Sequence, residues 1–270
     1  MIEKNRFHLS TSAAENYESQ KVPAIFGPMA EATLDAIGLP SGADVLDVAC
    51  GTGAVARAVA ARLRQPSRIV GADLNPAMIE IARQRTPAGA HSFDWHAAPA
   101  DDLPFKAGHF DLVFCQQGLQ FFPDKPGALA EMRRVLRPGG RLYLTCWAAI
   151  PPFFEVVAGV LRRRLGEDAA AKAVEPFIWN DGGLIGRLIS AAGFEVEPAR
   201  RVTVTRRMPA TYASIRADIL ATPNEPALRA AGESAIESIV QEVFEGVSHF
   251  SDGEMLAMPQ EAYLFDAIAR

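Results

Sequence analysis

The chain has 270 residues, of which 49% are hydrophobic, enough for one large core or for a core with a sizeable lid. Its 27 Lys and Arg against 32 Asp and Glu residues give a net charge of -5, so no overall basic field is present to hold a nucleic acid. The cysteines Cys50, Cys115 and Cys146 are far apart, which argues against a disulfide framework or a structural zinc site and suits a reducing cytoplasm.

The apolar segments do not indicate secretion or a membrane span. Residues 1–20 are polar and lack the apolar region of a secretory signal. The longest apolar stretch, Leu142 to Leu161, is interrupted by Pro151, Pro152 and Glu155. We therefore expect a cytoplasmic protein without a membrane span.

Predicted helices and strands alternate along residues 23–147. A helix over 23–37 precedes the strand VLDVA, and a Cys-Gly-Thr-Gly turn leads into an alanine-rich helix. The strand RIVGAD comes next, followed by a helix that begins at Asn75-Pro76. Three further strands are HSFDWHAA, FDLVFC and RLYLTCW, and the helix GALAEMRRVL separates the last two. Five strands alternating with helices predict an α/β fold with a Rossmann-like, doubly wound and mostly parallel sheet.

The pattern changes after Trp147, where long helical stretches interrupt the alternation. LISAAGF ends a helix at Gly193, an extended run continues to Arg207, and AYLFDAIA is the last predicted strand. We expect a single domain over residues 1–270, with a core at about 40–150, 181–207 and 259–270. Residues at about 1–30, 151–180 and 208–258 are expected to form a helical cap over the carboxyl edge of the sheet.

The glycine turn supports two cofactor classes. Gly51-x-Gly53-x-x-Ala56 satisfies the dinucleotide pattern, and Asp73 follows Gly53 by 20 residues, where an acid binds ribose hydroxyls. This pattern keeps an NAD(P)-dependent oxidoreductase as an alternative. Asp47, however, precedes the turn and would repel a pyrophosphate by about 1 kcal/mol or more at 4 Å. S-adenosylmethionine carries an ammonium and a sulfonium but no phosphate, so its binding needs the acids that Asp47 and Asp73 provide, unless Asp47 only caps the turn.

Four blocks, in order, resemble the class I S-adenosylmethionine-dependent methyltransferases, specifically the small-molecule branch of the ubiquinone and menaquinone biosynthesis type. They are VLDVACGTG, VGADLNPAMIEIA, ADDLPFKAGHFDLVFC and EMRRVLRPGGRLYLT, which together span Val45 to Thr145. The tail is also similar to that of the family, which implies an antiparallel last strand. The resemblance implies S-adenosyl-L-methionine as cofactor and S-adenosyl-L-homocysteine as product.

The resemblance assigns cofactor contacts by position. Asp47, Gly51 and Gly53 would contact the methionine end, and Asp73 the ribose hydroxyls. The other implied contacts are those of Leu74 and Met78 beside the adenine, Ala100 and Asp101 at the adenine edge, Cys115 and Gln116 beside the methionine chain, and Tyr17 over the cofactor. Pro99 stands where the family usually has an acid, so Asp101 is the candidate to replace that contact.

The acceptor is expected to be a small organic molecule, with O-methylation ahead of N-, C- or S-methylation. In-line methyl transfer needs no obligatory acid or base, and His249, in the expected cap, is the candidate base if a proton is removed. No metal is expected. Candidate substrate contacts are Gln117, Phe121, Trp147 and Phe177, although such aromatic residues are more often cap core.

The sequence also bears on other functions. The segment Cys115-Gln116-Gln117-Gly118 lacks the Asn/Asp-Pro-Pro-aromatic motif of base-amine methyltransferases, and Cys115 follows no proline, unlike the nucleophile of cytosine carbon-5 enzymes. A catalytically inactive cofactor-binding partner subunit is a third reading, besides the methyltransferase and the oxidoreductase. Homo-oligomerisation is left open.

Overall fold

The computed structural model describes residues 10–270, and the strands within that range form one eight-stranded sheet. The strand order is β3-β2-β1-β4-β5-β8-β6, and β7 pairs with β8. The strands are β1 (Val45–Val48), β2 (Arg68–Asp73), β3 (Ser92–Ala97), β4 (Phe110–Gln116), β5 (Leu136–Trp147), β6 (Phe194–Val196), β7 (Arg200–Pro209) and β8 (Met255–Ala269).

The first five strands pair in parallel around β1, which is buried along its whole length. Burial on both faces explains why β1, β2 and β4 are apolar runs rather than alternating patterns, whereas β3 at the edge of the sheet is mostly exposed or half-buried. Strand β6 pairs antiparallel with β8, with Phe194 opposite Ala269. The prediction of a Rossmann-like, mostly parallel α/β sheet with an antiparallel end is confirmed.

Helices connect the strands. They are α1 (Thr11–Asn16), a wide π-type helix (Tyr17–Phe26), α2 (Gly27–Asp35), α3 (Ala54–Arg62), α4 (Pro76–Gln84), α5 (Lys125–Val135), α6 (Pro152–Leu165), α7 (Glu167–Val174), α8 (Gly182–Ala191), α9 (Tyr212–Leu220), α10 (Glu225–Ala231) and α11 (Glu233–Val247). Helix α4 begins where the sequence predicts, because the Asn75 side chain accepts a hydrogen bond from the N–H of Ala77 and Pro76 occupies the first turn. Between residues 10 and 270 no helix combines the length and apolar character needed to cross a membrane.

The chain divides into two compact units, and residues 1–9 of the predicted cap lie outside the described residues. The first unit comprises residues 10–146, 181–202 and 262–270, and the second comprises 147–180 and 203–261. The core of the second unit is an apolar cluster of its helices and of β7 and β8 residues. Within it, the buried Arg206 pairs with Asp218 and lies 5.0 Å from the ring of Phe153. The cap over the sheet edge stays a prediction.

Three element boundaries differ from those predicted. The helix expected over 23–37 is a π-type helix to Phe26 followed by α2, and Pro23 lies inside the wide part, where it cannot donate a helical N–H. Strand β5 begins at Leu136 because Leu136 pairs with Phe110 before a register shift. Strand β8 begins at Met255, and its buried side includes Met258 and Gln260. Because Gln260 is polar, the alternation of buried and exposed residues is not evident in the sequence.

The indole of Trp95 in β3 packs closely against Gly71 of β2 and Gly53 of the glycine turn. A Cβ on Gly71 of β2 would lie 2.3 Å from the indole, and one on Gly53 would lie 2.5 Å from it. We expect Gly71→Ala to lower the free energy of unfolding by about 1–3 kcal/mol in urea denaturation, because the overpacked indole must move. Gly38→Ala, which meets nothing within 4 Å, should change it by less than about 0.5 kcal/mol. Equal losses in the two variants would contradict the packing role of Trp95.

Candidate functional site

The turn between β1 and α3 has a backbone that favours glycine. Gly51 has φ +54° and Gly53 φ +84°, the left-handed region in which glycine has no steric penalty. Ala49 has φ +56°, which is unfavourable for a residue with a Cβ, and Gly53 approaches the Trp95 indole closely. The turn is therefore tightly fixed at the carboxyl end of β1, which is where open α/β sheets bind ligands.

Two buried carboxylates lie beside this turn. Asp47, in β1, is 1% exposed, and its Oδ2 accepts a hydrogen bond of 3.2 Å from the N–H of Ala56 in α3. Asp73, at the end of β2, accepts 2.8 Å and 2.9 Å bonds from the N–H groups of Gly51 and Asn75. Each carboxylate oxygen can accept more than one hydrogen bond, so both acids retain capacity for a ligand.

Burial raises the pKa of both acids. The pKa of Asp47 rises to about 8, chiefly by desolvation and further by the charge of Asp73, although the Ala56 N–H and Arg57 oppose the shift. Burial also raises the pKa of Asp73, against the two backbone N–H groups that lower it. Two acids that are held together at a cost in desolvation favour a ligand that brings positive charge.

A small cavity lies between Asp47, the turn after β1 and the end of β4. Its lining comprises Tyr17, Phe26, Asp47, Ala49, Cys50, Thr52, Ala54, Val55 and Gln116. The Nε2 of Gln116 donates a 3.0 Å bond to the carbonyl oxygen of Phe26. Its Oε1 is buried and has no partner among residues 10–270. An unpaired carbonyl beside buried acids is an additional acceptor for a cationic donor.

The N-terminal helices cover the glycine turn. The ring of Tyr17 stacks on that of Phe26 with centroids 5.1 Å apart, and a Cβ on Gly51 would lie 3.7 Å from the Tyr17 ring. Burial, and then the charge of Asp73, raises the pKa of the Tyr17 phenol well above its ordinary range, so the phenol stays neutral. Glu18 binds Arg57 of α3 at 2.8 Å, which fastens this cover to the helix that the turn begins.

Of the residues predicted beside the adenine, Met78 lies near a second predicted contact, Tyr17. Met78 of α4 is buried in a cluster with Ala14 and Ile81, and Tyr17 packs against that cluster. Leu74 is 44% exposed, directly after Asp73. Ala100 is half-buried and Asp101 is exposed in the turn that follows β3. The adenine contact of Asp101 stays a prediction.

The predicted acceptor residues fall in both units. Gln117, in the loop after β4, is 5% exposed with φ +54°, and Phe121 of the same loop is 38% exposed. Trp147 and Phe177 are buried in the second unit, where their rings pack 5.5 Å apart. His249 is exposed in a short turn of the second unit, with its ring beside that of Phe250. Cys115 is fully buried, and burial raises the pKa of its thiol well above the usual range, which does not favour a nucleophile.

Several residues of the site carry no signal in the sequence. Phe26 contributes a backbone carbonyl, which any residue could supply. Arg57 looks like an ordinary solvent-facing residue of an alanine-rich helix, and its contact with Glu18 spans 39 positions. The packing of Trp95 has one sign in the sequence, Gly71, since a glycine inside a strand indicates that another group lies close to the backbone.

Comparison with known proteins agrees with this geometry. Residues 46–144 match a family described as a methyltransferase domain. A demethylmenaquinone methyltransferase of Lactiplantibacillus plantarum is 42% identical over 112 residues, 41% of this chain and 47% of the relative. Nocamycin O-methyltransferase of Saccharothrix syringae is 32% identical over 182 residues, 63% of this chain and 65% of the relative. The chain thus spans about half to two thirds of the length of these curated relatives.

Solved structures share the fold. Phosphoethanolamine N-methyltransferase 2 of Haemonchus contortus, in complex with S-adenosyl-L-methionine, has a TM-score of 0.59 at 17% identity, covering 98% of this chain and 58% of that one. The [4+2]-cyclase SpnF has a TM-score of 0.52 at 22% identity, covering 90% of this chain and 80% of that one. These likenesses concern the fold alone. With the match over 46–144, the family prediction is confirmed: that part of the chain belongs to the class I S-adenosylmethionine-dependent methyltransferases.

Proposed function

We propose that the protein binds S-adenosylmethionine in the acidic cavity and transfers its methyl group to a small organic acceptor. The observation that carries the proposal is the buried pair Asp47 and Asp73 beside a left-handed glycine turn. A cation stabilises the ionised form of these acids, whereas a pyrophosphate would oppose their ionisation and gain no attraction from them. Family membership of residues 46–144 supports the same cofactor.

The residues present fit this cofactor. Asp47 and the unpaired Oε1 of Gln116 are acceptors for the ammonium, and Asp73 retains lone pairs for the ribose hydroxyls. Gly51 lies below the Tyr17 ring, where a Cβ would be in ordinary contact with the ring at 3.7 Å, so the backbone of the turn is close to this cover. In this proposal Met78 and Leu74 flank the adenine, and the remaining contacts are Gly53, Ala100, Asp101 and Cys115.

The bound cofactor would supply an electrophilic methyl group on a sulfonium. The contribution of this chain is then to hold that group and the acceptor in line and to exclude water. Tyr17 and Phe26, fastened by Glu18 and Arg57, cover the cavity and serve the second purpose. We propose a hydroxyl acceptor, for which the match to an O-methyltransferase over 182 residues is the support, with His249 as the candidate base.

The alternatives have less support. An NAD(P)-dependent oxidoreductase would place a pyrophosphate against the turn that Asp47 adjoins. A partner subunit without catalysis is compatible with the same cavity, and the neighbour named as a cyclase is an instance of the fold under another activity name. A measurement of methyl transfer distinguishes this inactive partner subunit from an enzyme.

The cofactor assignment is tested by binding and turnover. Isothermal titration with S-adenosylhomocysteine should give a dissociation constant at least about a hundredfold below that for NADH, since only the first lacks a pyrophosphate. Methyl-labelled S-adenosylmethionine should then label hydroxyl-bearing acceptors from a broad small-molecule panel. Tighter binding of NADH would overturn the cofactor, and binding without any labelling would favour the partner subunit.

Proton release tests the role of Asp47. At pH 6.5 the carboxyl of Asp47 is largely protonated, because its pKa is about 8, and a bound cation should ionise it. Calorimetry with S-adenosylhomocysteine in two buffers of different ionisation enthalpy should show about one proton more released by the native protein than by Asp47→Asn. Equal release by the two proteins would show that the ligand does not meet Asp47.

The raised pKa of Asp47 also predicts that this residue destabilises the ligand-free protein at high pH. Folded Asp47 holds its proton up to about pH 8, whereas an unfolded Asp loses it near its ordinary pKa of about 3.9, so the free energy of unfolding falls as pH rises between these values. Asp47→Asn should therefore be more stable than the native protein at pH 8.5, on the order of 2–5 kcal/mol in urea, and similar to it at pH 4. The exposed Asp101→Asn is the matched control. A native protein and variant with parallel pH profiles would contradict the shift.

A further inference from the structure

Two glutamine side chains in the loop after β4, Gln117 and Gln120, have unpaired amide groups in the described part of the chain. The side-chain nitrogen and oxygen atoms of both are buried, and none of the four has a hydrogen-bond partner within residues 10–270. A carboxamide offers two N–H donors and a carbonyl acceptor, and leaving these groups buried and unpaired is unfavourable. The loop therefore holds two complete amide groups that no group of residues 10–270 pairs and that are available to a ligand. They follow Gln116, which lines the cavity described above.

The backbone holds this loop in place. Gln117 has φ +54°, a left-handed conformation that a non-glycine residue keeps only when its surroundings impose it. Its N–H donates a 3.0 Å bond to the carbonyl of Thr145 in β5. A Cβ on Gly118 would lie 2.7 Å from the Cβ of Ala49, so the loop packs against the turn after β1. Strain and buried unpaired polar groups at one strand end are independent signs of a binding site.

The charged groups of the loop are engaged elsewhere. Oδ1 of Asp124 accepts the N–H of Gly127 at 2.9 Å, and Nζ of Lys125 donates to the carbonyl of Phe122 at 2.9 Å. Cys115 is held neutral because burial raises the pKa of its thiol. Asp47 and Asp73 are assigned to the cofactor. Residues 116–122 thus present neutral donors and acceptors rather than a formal charge.

Resting on the proposed function, we propose that Gln117 and Gln120 bind the methyl acceptor and select an uncharged one that carries a hydrogen-bond donor beside an acceptor, as in a carboxamide or a hydroxyl next to a carbonyl. Such a group pairs with a side-chain amide through two parallel hydrogen bonds. A carboxylate would leave the glutamine carbonyls unpaired, and an ammonium would leave their N–H groups unpaired. Gln120 is the residue of this pair that the sequence pattern does not point to.

A first test needs no knowledge of the natural acceptor. Gln120→Leu removes two buried, unpaired polar atoms from a half-buried side chain, so the midpoint of thermal unfolding of the ligand-free protein should rise by about 2–4 °C. Affinity for S-adenosylhomocysteine should stay within twofold of the native value. Gln84→Leu is the matched control, since Gln84 is exposed on α4 and bonds Glu80 at 3.1 Å, and it should not raise the midpoint. A lower midpoint for Gln120→Leu would overturn the proposal.

A second test measures selectivity. With the protein saturated by S-adenosylhomocysteine, calorimetric titration should show benzamide binding at least tenfold more tightly than benzoate or benzylammonium, and Gln120→Leu should weaken benzamide at least tenfold. Tighter binding of either ion, no binding of benzamide, or benzamide binding unchanged in Gln120→Leu would overturn the proposal while leaving the cofactor assignment intact. Failure of S-adenosylhomocysteine to bind the native protein would instead overturn the proposed function.

Discussion

The carboxylate of Asp73 joins the two strand ends on which the site is built. One oxygen holds the N–H of Gly51 in the turn after β1, and the other holds the N–H of Asn75 at the start of α4. Because β1 and β2 are parallel neighbours, their carboxyl ends meet at one edge, and a single side chain can fix both turns. The hydrogen bond to Gly51 fixes the turn that contains the left-handed glycines. Asp47 adjoins that turn, and Tyr17 covers it.

Several residues at this edge of the sheet are unfavourable for the stability of the folded protein. Asp47 lies in a fully buried strand, where an aliphatic residue would be more favourable, and its pKa rises to about 8 as a result. Ala49 and Gln117 adopt left-handed backbone at the ends of two neighbouring strands, and Gln116, Gln117 and Gln120 keep buried polar atoms without partners within the described chain. Sites bind tightly where such groups are held ready for a ligand, since the cost is met on folding rather than on binding.

The cover over the glycine turn, formed by residues 17–26, is held by contacts between neighbouring residues and by contacts between residues far apart in the sequence. Tyr17 and Phe26 stack within one wide helix, whereas Glu18 reaches Arg57 and Gln116 reaches the carbonyl of Phe26 across 90 positions. These contacts tie residues 17–26 both to α3 and to the end of β4. The edge at which we propose that the cofactor binds is consequently covered by the same interactions that hold the N-terminal helices on the first unit, and we expect ligand exchange to require some of them to open.

The sequence by itself determined the α/β class, the strand identities from β1 to β5, the glycine turn and the acids at both of its sides, because apolar period, turn chemistry and motif spacing are local properties. It also carried the family resemblance over residues 45–145, most of which the domain match covers. Only the tertiary structure decided that Trp95 lies against Gly71, that Arg57 binds Glu18 and that β8 extends back to Met255. It also decided that the amides of Gln117 and Gln120 are buried without partners among residues 10–270. These features depend on which distant segments meet and on how much water remains between them, and no local pattern encodes either quantity.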